Sequence, residues 1–148
     1  MADVIELVRV AVRRKVAGNI IEEAAYQRQW MDNAPAEDVY IRETVMEETR
    51  EELFQSGVKV TALVELDIFV RRGAFPNPMA VASDYAEKIQ QAFNPQMEET
   101  ATIPLDGGGV GYIQKVPYQN APQQEAELFM LPVLFSIGVY CKWRSKSI

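Results

Sequence analysis

Paired carboxylates are the first groups in this 148-residue chain whose type and spacing could do chemistry: Glu22-Glu23, Glu47-Glu48, Glu51-Glu52 and Glu98-Glu99. Two carboxyls divide acid and base work, or hold a divalent cation, only when they converge on one point. Adjacent charges on a polar stretch point apart, which is the ordinary pattern of a solvated face. The densest set, Glu47, Glu48, Glu51 and Glu52, is read that way, with 48–54 as a solvated turn or helix. The second candidate is the glycine run "DGGGVG" at 106–111. A phosphate cradle ends in Gly-Lys-Ser/Thr and opens a helix, and a dinucleotide fingerprint needs Gly-x-Gly-x-x-Gly. Here "VGYIQKV" follows with strand character, and neither pattern is present. Gly107 to Gly109 are read as a turn free to take positive φ. Cys141 alternates with core-facing residues and reads as an inert buried thiol; being alone, it forms no intrachain disulfide. The chain has no histidine, which removes the commonest general base, the commonest metal ligand and every Ser-His or Cys-His pair. The residues offer no catalytic set, no cofactor site and no metal site.

The net charge is −6. Proteins that grip nucleic acid through phosphates carry a basic stripe. The basic residues here are scattered, in small groups at Arg13-Arg14-Lys15, Arg71-Arg72 and Lys142 to Lys146. Base stacking by Tyr112 and Tyr118 beside Lys115 runs against the same acidic balance. The longest apolar run, 128–141, is too short for a membrane-spanning helix and is interrupted by Pro132, Ser136 and Gly138. "MADVIELVRV" carries no secretion signal, so the expected compartment is the cytoplasm of a cell or of an infected cell.

The elements that must position any site follow from periodicity. Residues 2–24 read as a helix with Val4, Val8, Ala11, Val12 and Val16 on its apolar face, Asp3 as cap and Gly18-Asn19 as a stop. Residues 19–38, with Tyr26 and Trp30, are left open between a short helix and a loop. Residues 38–48 alternate as a strand with Val39, Ile41 and Glu43 on one side. The clearest strand is 58–73, where Val58, Val60, Ala62, Val64, Leu66, Ile68 and Val70 share one face. Residues 77–93 form a helix capped by Asn77, with Pro78 at its first position and Ala82, Tyr85, Ala86, Ile89 and Phe93 buried. Strands at 110–119 and 126–144 complete the pattern, with Pro132 marking an edge or a bulge. The expected fold is α+β: a mainly antiparallel sheet of about four strands, two helices on one face, order α-β-β-α-β-β, in a single domain. Two strands this long leave edges that one small chain cannot cover, so identical neighbours are expected to hide them.

"VYIRETVMEE" (39–48), "VTALVELDIFVRRG" (60–73), "MAVASDYAEKIQQAF" (79–93), "GYIQKVPYQNAP" (111–122) and "LFMLPVLFSIGVY" (128–140) follow one another in an order that resembles the tail terminator-like proteins of tailed bacteriophages and related prophages. The resemblance runs from about residue 3 to residue 143 and lies in order and spacing rather than in one motif. It implies a non-enzymatic ring, commonly a homohexamer, that caps the head-proximal end of the tail tube and joins it to the head connector or neck. The implied partners are further copies of the chain, the tail tube protein, the connector and, in a contractile tail, the sheath. DNA passes through the lumen without specific binding, and the location is the virion after assembly in the host cytoplasm. The partner-facing residues expected are Glu47, Glu48, Glu51 and Glu52, the turn residues Arg71, Arg72 and exposed Phe75, and Phe129 with Met130. Two alternatives stand beside this reading: another neck or tail-completion adaptor, and a small nucleotide-binding module or enzyme using Gly107–Gly109.

Overall fold

The computed structural model describes residues 3–28, 35–53, 57–94, 101–119, 122–124 and 127–141. Helix α1 (Val4–Val16) is capped by Asp3, whose carboxylate accepts from the Ile5 N–H, and it buries Val8, Ala11, Val12 and Val16. It stops where Gly18 takes φ of 82°, a left-handed geometry that costs glycine little. Helix α2 (Pro78–Phe93) begins where Asn77 accepts from the Ala80 N–H, and it buries Ala82, Ala86, Ile89 and Phe93. Tyr85 is only half-buried.

The strands are β1 (Tyr26–Arg28), β2 (Val39–Leu53), β3 (Gly57–Arg71), β4 (Thr102–Pro104), β5 (Val110–Gln119), β6 (Gln123–Gln124) and β7 (Leu128–Cys141). They form one seven-stranded sheet in the order β1-β2-β3-β7-β5-β4, with β6 beside β7. It corrects the expected four-stranded antiparallel sheet. The sheet is curled into a mixed half-barrel, strand accounts for about half of the described residues, and β1 runs parallel to β2. The added strands β1, β4 and β6 are three, three and two residues long, too short for any period to show in sequence. They are extended because a neighbouring edge recruits them, not because of local propensity.

The distal half of β2 is a second correction. Residues 48–53 continue the strand instead of turning or coiling. Their pairing with β3, from Arg50 opposite Val60 to Leu53 opposite Gly57, overrides the weak strand preference of glutamate. The uncovered edges also lie elsewhere than expected. β3 is paired along its length by β2 and β7, and β7 lies between β3 and the strands β5 and β6. Both long strands are therefore interior. One open edge belongs to β2, whose pairing with β1 spans only Ile41 to Glu43 among the described residues, and at the other margin β4 covers β5 only from Val110 to Tyr112. Pro132 lies in an interior strand and at no bulge. Among the described residues it falls between Met130, where β6 pairs, and Val133, where β5 pairs, so its missing N–H breaks no described ladder on that side.

The alternating residues of β3 from Val58 to Val70 are all buried, and with Val133, Phe135, Ile137 and Val139 of β7 they meet both helices. Phe93 of α2 packs against Phe135 with ring centroids 4.5 Å apart. The opposite face of the sheet, from Lys59 to Phe69 in β3, is half-exposed.

Candidate functional site

The residues singled out for partner contact fall at the two ends of the sheet. Glu47, Glu48, Glu51 and Glu52 stand exposed on the distal half of β2. Opposite residues of an antiparallel pair share a face. Glu52, opposite Val58, therefore lies on the helix side, whereas Glu51, opposite Lys59, lies on the other. Glu48 falls at an irregularity in the register between Glu47 and Thr49, and Glu47 is held by Arg50 at 2.7 Å. The four carboxylates spread over both faces, and no group of three or more potential ligands gathers among the described residues.

Arg71, Arg72, Phe75, Phe129 and Met130 lie at the other end, where Arg71 pairs with Leu128 and Val70 with Phe129. Arg71 is half-buried and acts as a strap: its guanidinium donates to the Pro35 carbonyl at 2.8 Å and the Glu37 carbonyl at 3.3 Å. Arg72 is exposed, and its backbone N–H donates to the Glu127 carbonyl. Phe75 is half-buried against the core, not exposed, because it closes one wall of a cleft described below. Phe129 is 3% exposed and belongs to the core, while Met130 points to the half-exposed face beside Phe69. Trp30, Trp143 and Lys142 to Lys146 lie outside the described residues.

The glycine run joins β4 to β5. Gly107 and Gly108 take φ of 86° and 89°, and the Leu105 N–H closes the turn on the Gly109 carbonyl at 2.9 Å. Arg14 pairs with Asp106 at its entrance. The amides of this loop lead into a strand, so they lack the aligned N–H groups of a helix start. Cys141 is half-buried rather than buried.

Three clusters escaped the sequence reading because their members meet only in three dimensions. The first is interior. Glu43 of β2 is fully buried, with Arg9 Nε of α1 3.5 Å from its Oε2 and no hydrogen bond to either carboxylate oxygen. Burial pushes its carboxyl above the usual range, partly countered by the Arg9 charge. Arg9 in turn bonds Glu6, which Arg28 also reaches at 3.0 Å. That Arg9 hydrogen bond, with help from Arg28, holds Glu6 below the usual carboxylate range.

The second cluster lies on the half-exposed face. Tyr40 and Phe69 stack at 4.8 Å, Arg42 covers Phe69 at 5.0 Å, and Arg42 donates to Gln27 at 3.3 Å. Asp67 lies opposite Arg42, with a buried Oδ1 that has no hydrogen-bond partner. Burial first, and then the neighbouring Glu65, push its carboxyl up to about 8. Tyr40, Arg42, Asp67 and Phe69 line a pocket of ≈ 330 Å³ with Gln123, Leu128 and Met130.

The third is a larger cleft of ≈ 760 Å³ between the α1–β1 connection, the start of β2 and α2. Its rim carries Glu22, Glu23, Glu37 and Asp38, and Phe75 and Tyr85 line its wall. Glu22-Glu23 is visible in sequence as a charged pair, but nothing there shows that Glu37-Asp38 will face it.

No protein-family model and no curated protein matches the chain. A solved structure whose name carries no functional description has a similar fold, with a TM-score of 0.69 over 94% of this chain and 97% of its own. At 14% identity that likeness shows a shared architecture and nothing more specific.

Proposed function

We propose that the chain is a ring-forming structural protein of a tailed-phage virion: a tail terminator that caps the head-proximal end of the tube and joins it to the connector. The observation that carries the reading is the polarity of the subunit. One end of the sheet is an acidic arm with an open β2 edge, and the other is the turn at Arg71 and Arg72 beside the acidic cleft. Where such unlike ends meet through complementary surfaces, the contact is heterologous, and a heterologous contact repeated with closing rotation makes a ring. Beyond Glu43 the outer edge of β2 is partnered by no strand among the described residues, and Arg9 donates to the Val45 carbonyl there. Charge along such an edge discourages indiscriminate pairing and leaves it open to a complementary neighbour. The net charge of −6 suits a conduit wall that repels DNA phosphates. The residue order quoted above supports the particular virion post.

Mass measurement on the purified chain, by light scattering and native mass spectrometry, tests this directly. The expected species is a closed ring of several copies, six being the number the resemblance implies. A chain that stays monomeric at every concentration, and in particles, removes the proposal.

A further inference from the structure

We infer that the acidic cleft is the seat for the basic, tryptophan-bearing segment 142–146 of a neighbouring copy. The inference names which surfaces meet, and it rests on the ring reading only in taking the occupant to be this same chain.

The cleft supplies half of the argument. Glu22, Glu23 and Asp38 are exposed, Glu37 is half-exposed, and none of the four side chains makes an ion pair among the described residues. Among the described residues no lysine or arginine lines the cleft. The nearby Arg71 is engaged by the Pro35 and Glu37 carbonyls. Lys88, 4.9 Å from the Tyr85 ring centroid, faces an adjoining depression that also holds Asp84 and Glu87. Phe75 and Tyr85, each half-buried, line the wall of the same cleft. Such a site takes a cationic strand with one aromatic anchor.

The sequence supplies the other half. Residues 142–146 read Lys-Trp-Arg-Ser-Lys, three cations around one tryptophan with no acidic residue. This segment follows β7, whose last residue Cys141 pairs with Val58, whereas Val39 in the cleft pairs with Val70. Twelve strand positions separate Val58 from Val70, about 40 Å at ~3.3 Å per residue. Five residues beyond Cys141 reach at most about 18 Å, so the segment cannot fill the cleft of its own chain. A second copy can supply it, and each copy then gives at one end and receives at the other, the heterologous arrangement a ring requires.

The test is a charge swap in the full chain. One variant carries Glu22→Lys, Glu23→Lys and Asp38→Lys; the other carries Lys142→Glu, Arg144→Glu and Lys146→Glu. Circular dichroism and melting confirm that both fold, and sedimentation reads association. Each variant alone should associate at least about tenfold more weakly than the parent, and a one-to-one mixture should recover assembly, because every junction in an alternating ring is then matched. If both variants associate as the parent does, these surfaces are wrong while the ring reading stands. If both are impaired and mixing restores nothing, the basic segment acts elsewhere, for instance on the Glu51-Glu52 arm of its own chain, and the inference falls. A parent that never self-associates ends both.

Discussion

At Asp67 a carboxyl sits on a sheet face with Arg42 on one flank, Glu65 two residues away on its own strand and Pro132 on the other flank. Its folded value, about 8, is raised above the unfolded reference of about 3.9, so between those values the native state binds the extra proton. Stability attached to this group is therefore complete at low pH and declines as pH rises from roughly 4 through about 8. Asp67→Asn should flatten that decline, raising the melting temperature at pH 9 by about 3 °C or more while changing little at pH 4. Thermal melts across pH check it, and equal shifts at both ends of the range count against the assignment. Glu43 obeys the same sign, since burial raises its carboxyl. Its inward placement was readable from the Val39, Ile41, Glu43 alternation. Its partner Arg9 was not, because Arg9 lies outside the apolar set Val4, Val8, Ala11, Val12 and Val16 that the helix period picks out, and only docking of that helix on β2 brings the two together.

Among the elements, the β4–β5 hairpin separates two roles of glycine that look alike in sequence. A Cβ at Gly107 or Gly108 would meet nothing within 4 Å, so their constraint is the positive φ alone. A Cβ at Gly111 would stand 2.7 Å from Ile137 Cγ2 and 3.0 Å from Ile103 Cγ2. Here the small residue lets β5 lie against the interior. Gly111→Ala should destabilise the fold by about 1–3 kcal/mol through overpacking, measured by urea unfolding. A neutral result would mean that the isoleucines move aside freely. The long elements were legible because each repeats a period many times: seven alternating positions in β3, an apolar stripe with written caps in α2. The two- and three-residue strands repeat nothing. The acidic run of β2 was misread for a related reason, since its charges describe its exposure while its extended backbone comes from β3.

At the scale of the whole molecule, the inferred contact joins opposite charges between copies of a chain with net charge −6. Salt screens such contacts, the Debye length shrinking from roughly 10 Å at 0.1 M to about 3 Å at 1 M. Self-association should therefore weaken as ionic strength rises from about 0.05 to about 0.5 M, as sedimentation can show. Association that strengthens with salt would point instead to an apolar seam, such as the exposed Met46 on the open edge of β2. By itself the amino-acid sequence determined the helices and their caps, the strands β3, β5 and β7, the first half of β2, and the inward face of β3. Those depend on periodicity and on side chains acting within one or two turns of their own position. The tertiary structure alone decided the pairing order, the parallel β1, the enclosure of β3 and β7, and the meeting of Glu22-Glu23 with Glu37-Asp38, Phe75 and Tyr85. Those contacts join residues far apart along the chain, and the free energy that selects them comes from burying surfaces that exist only once the elements have packed.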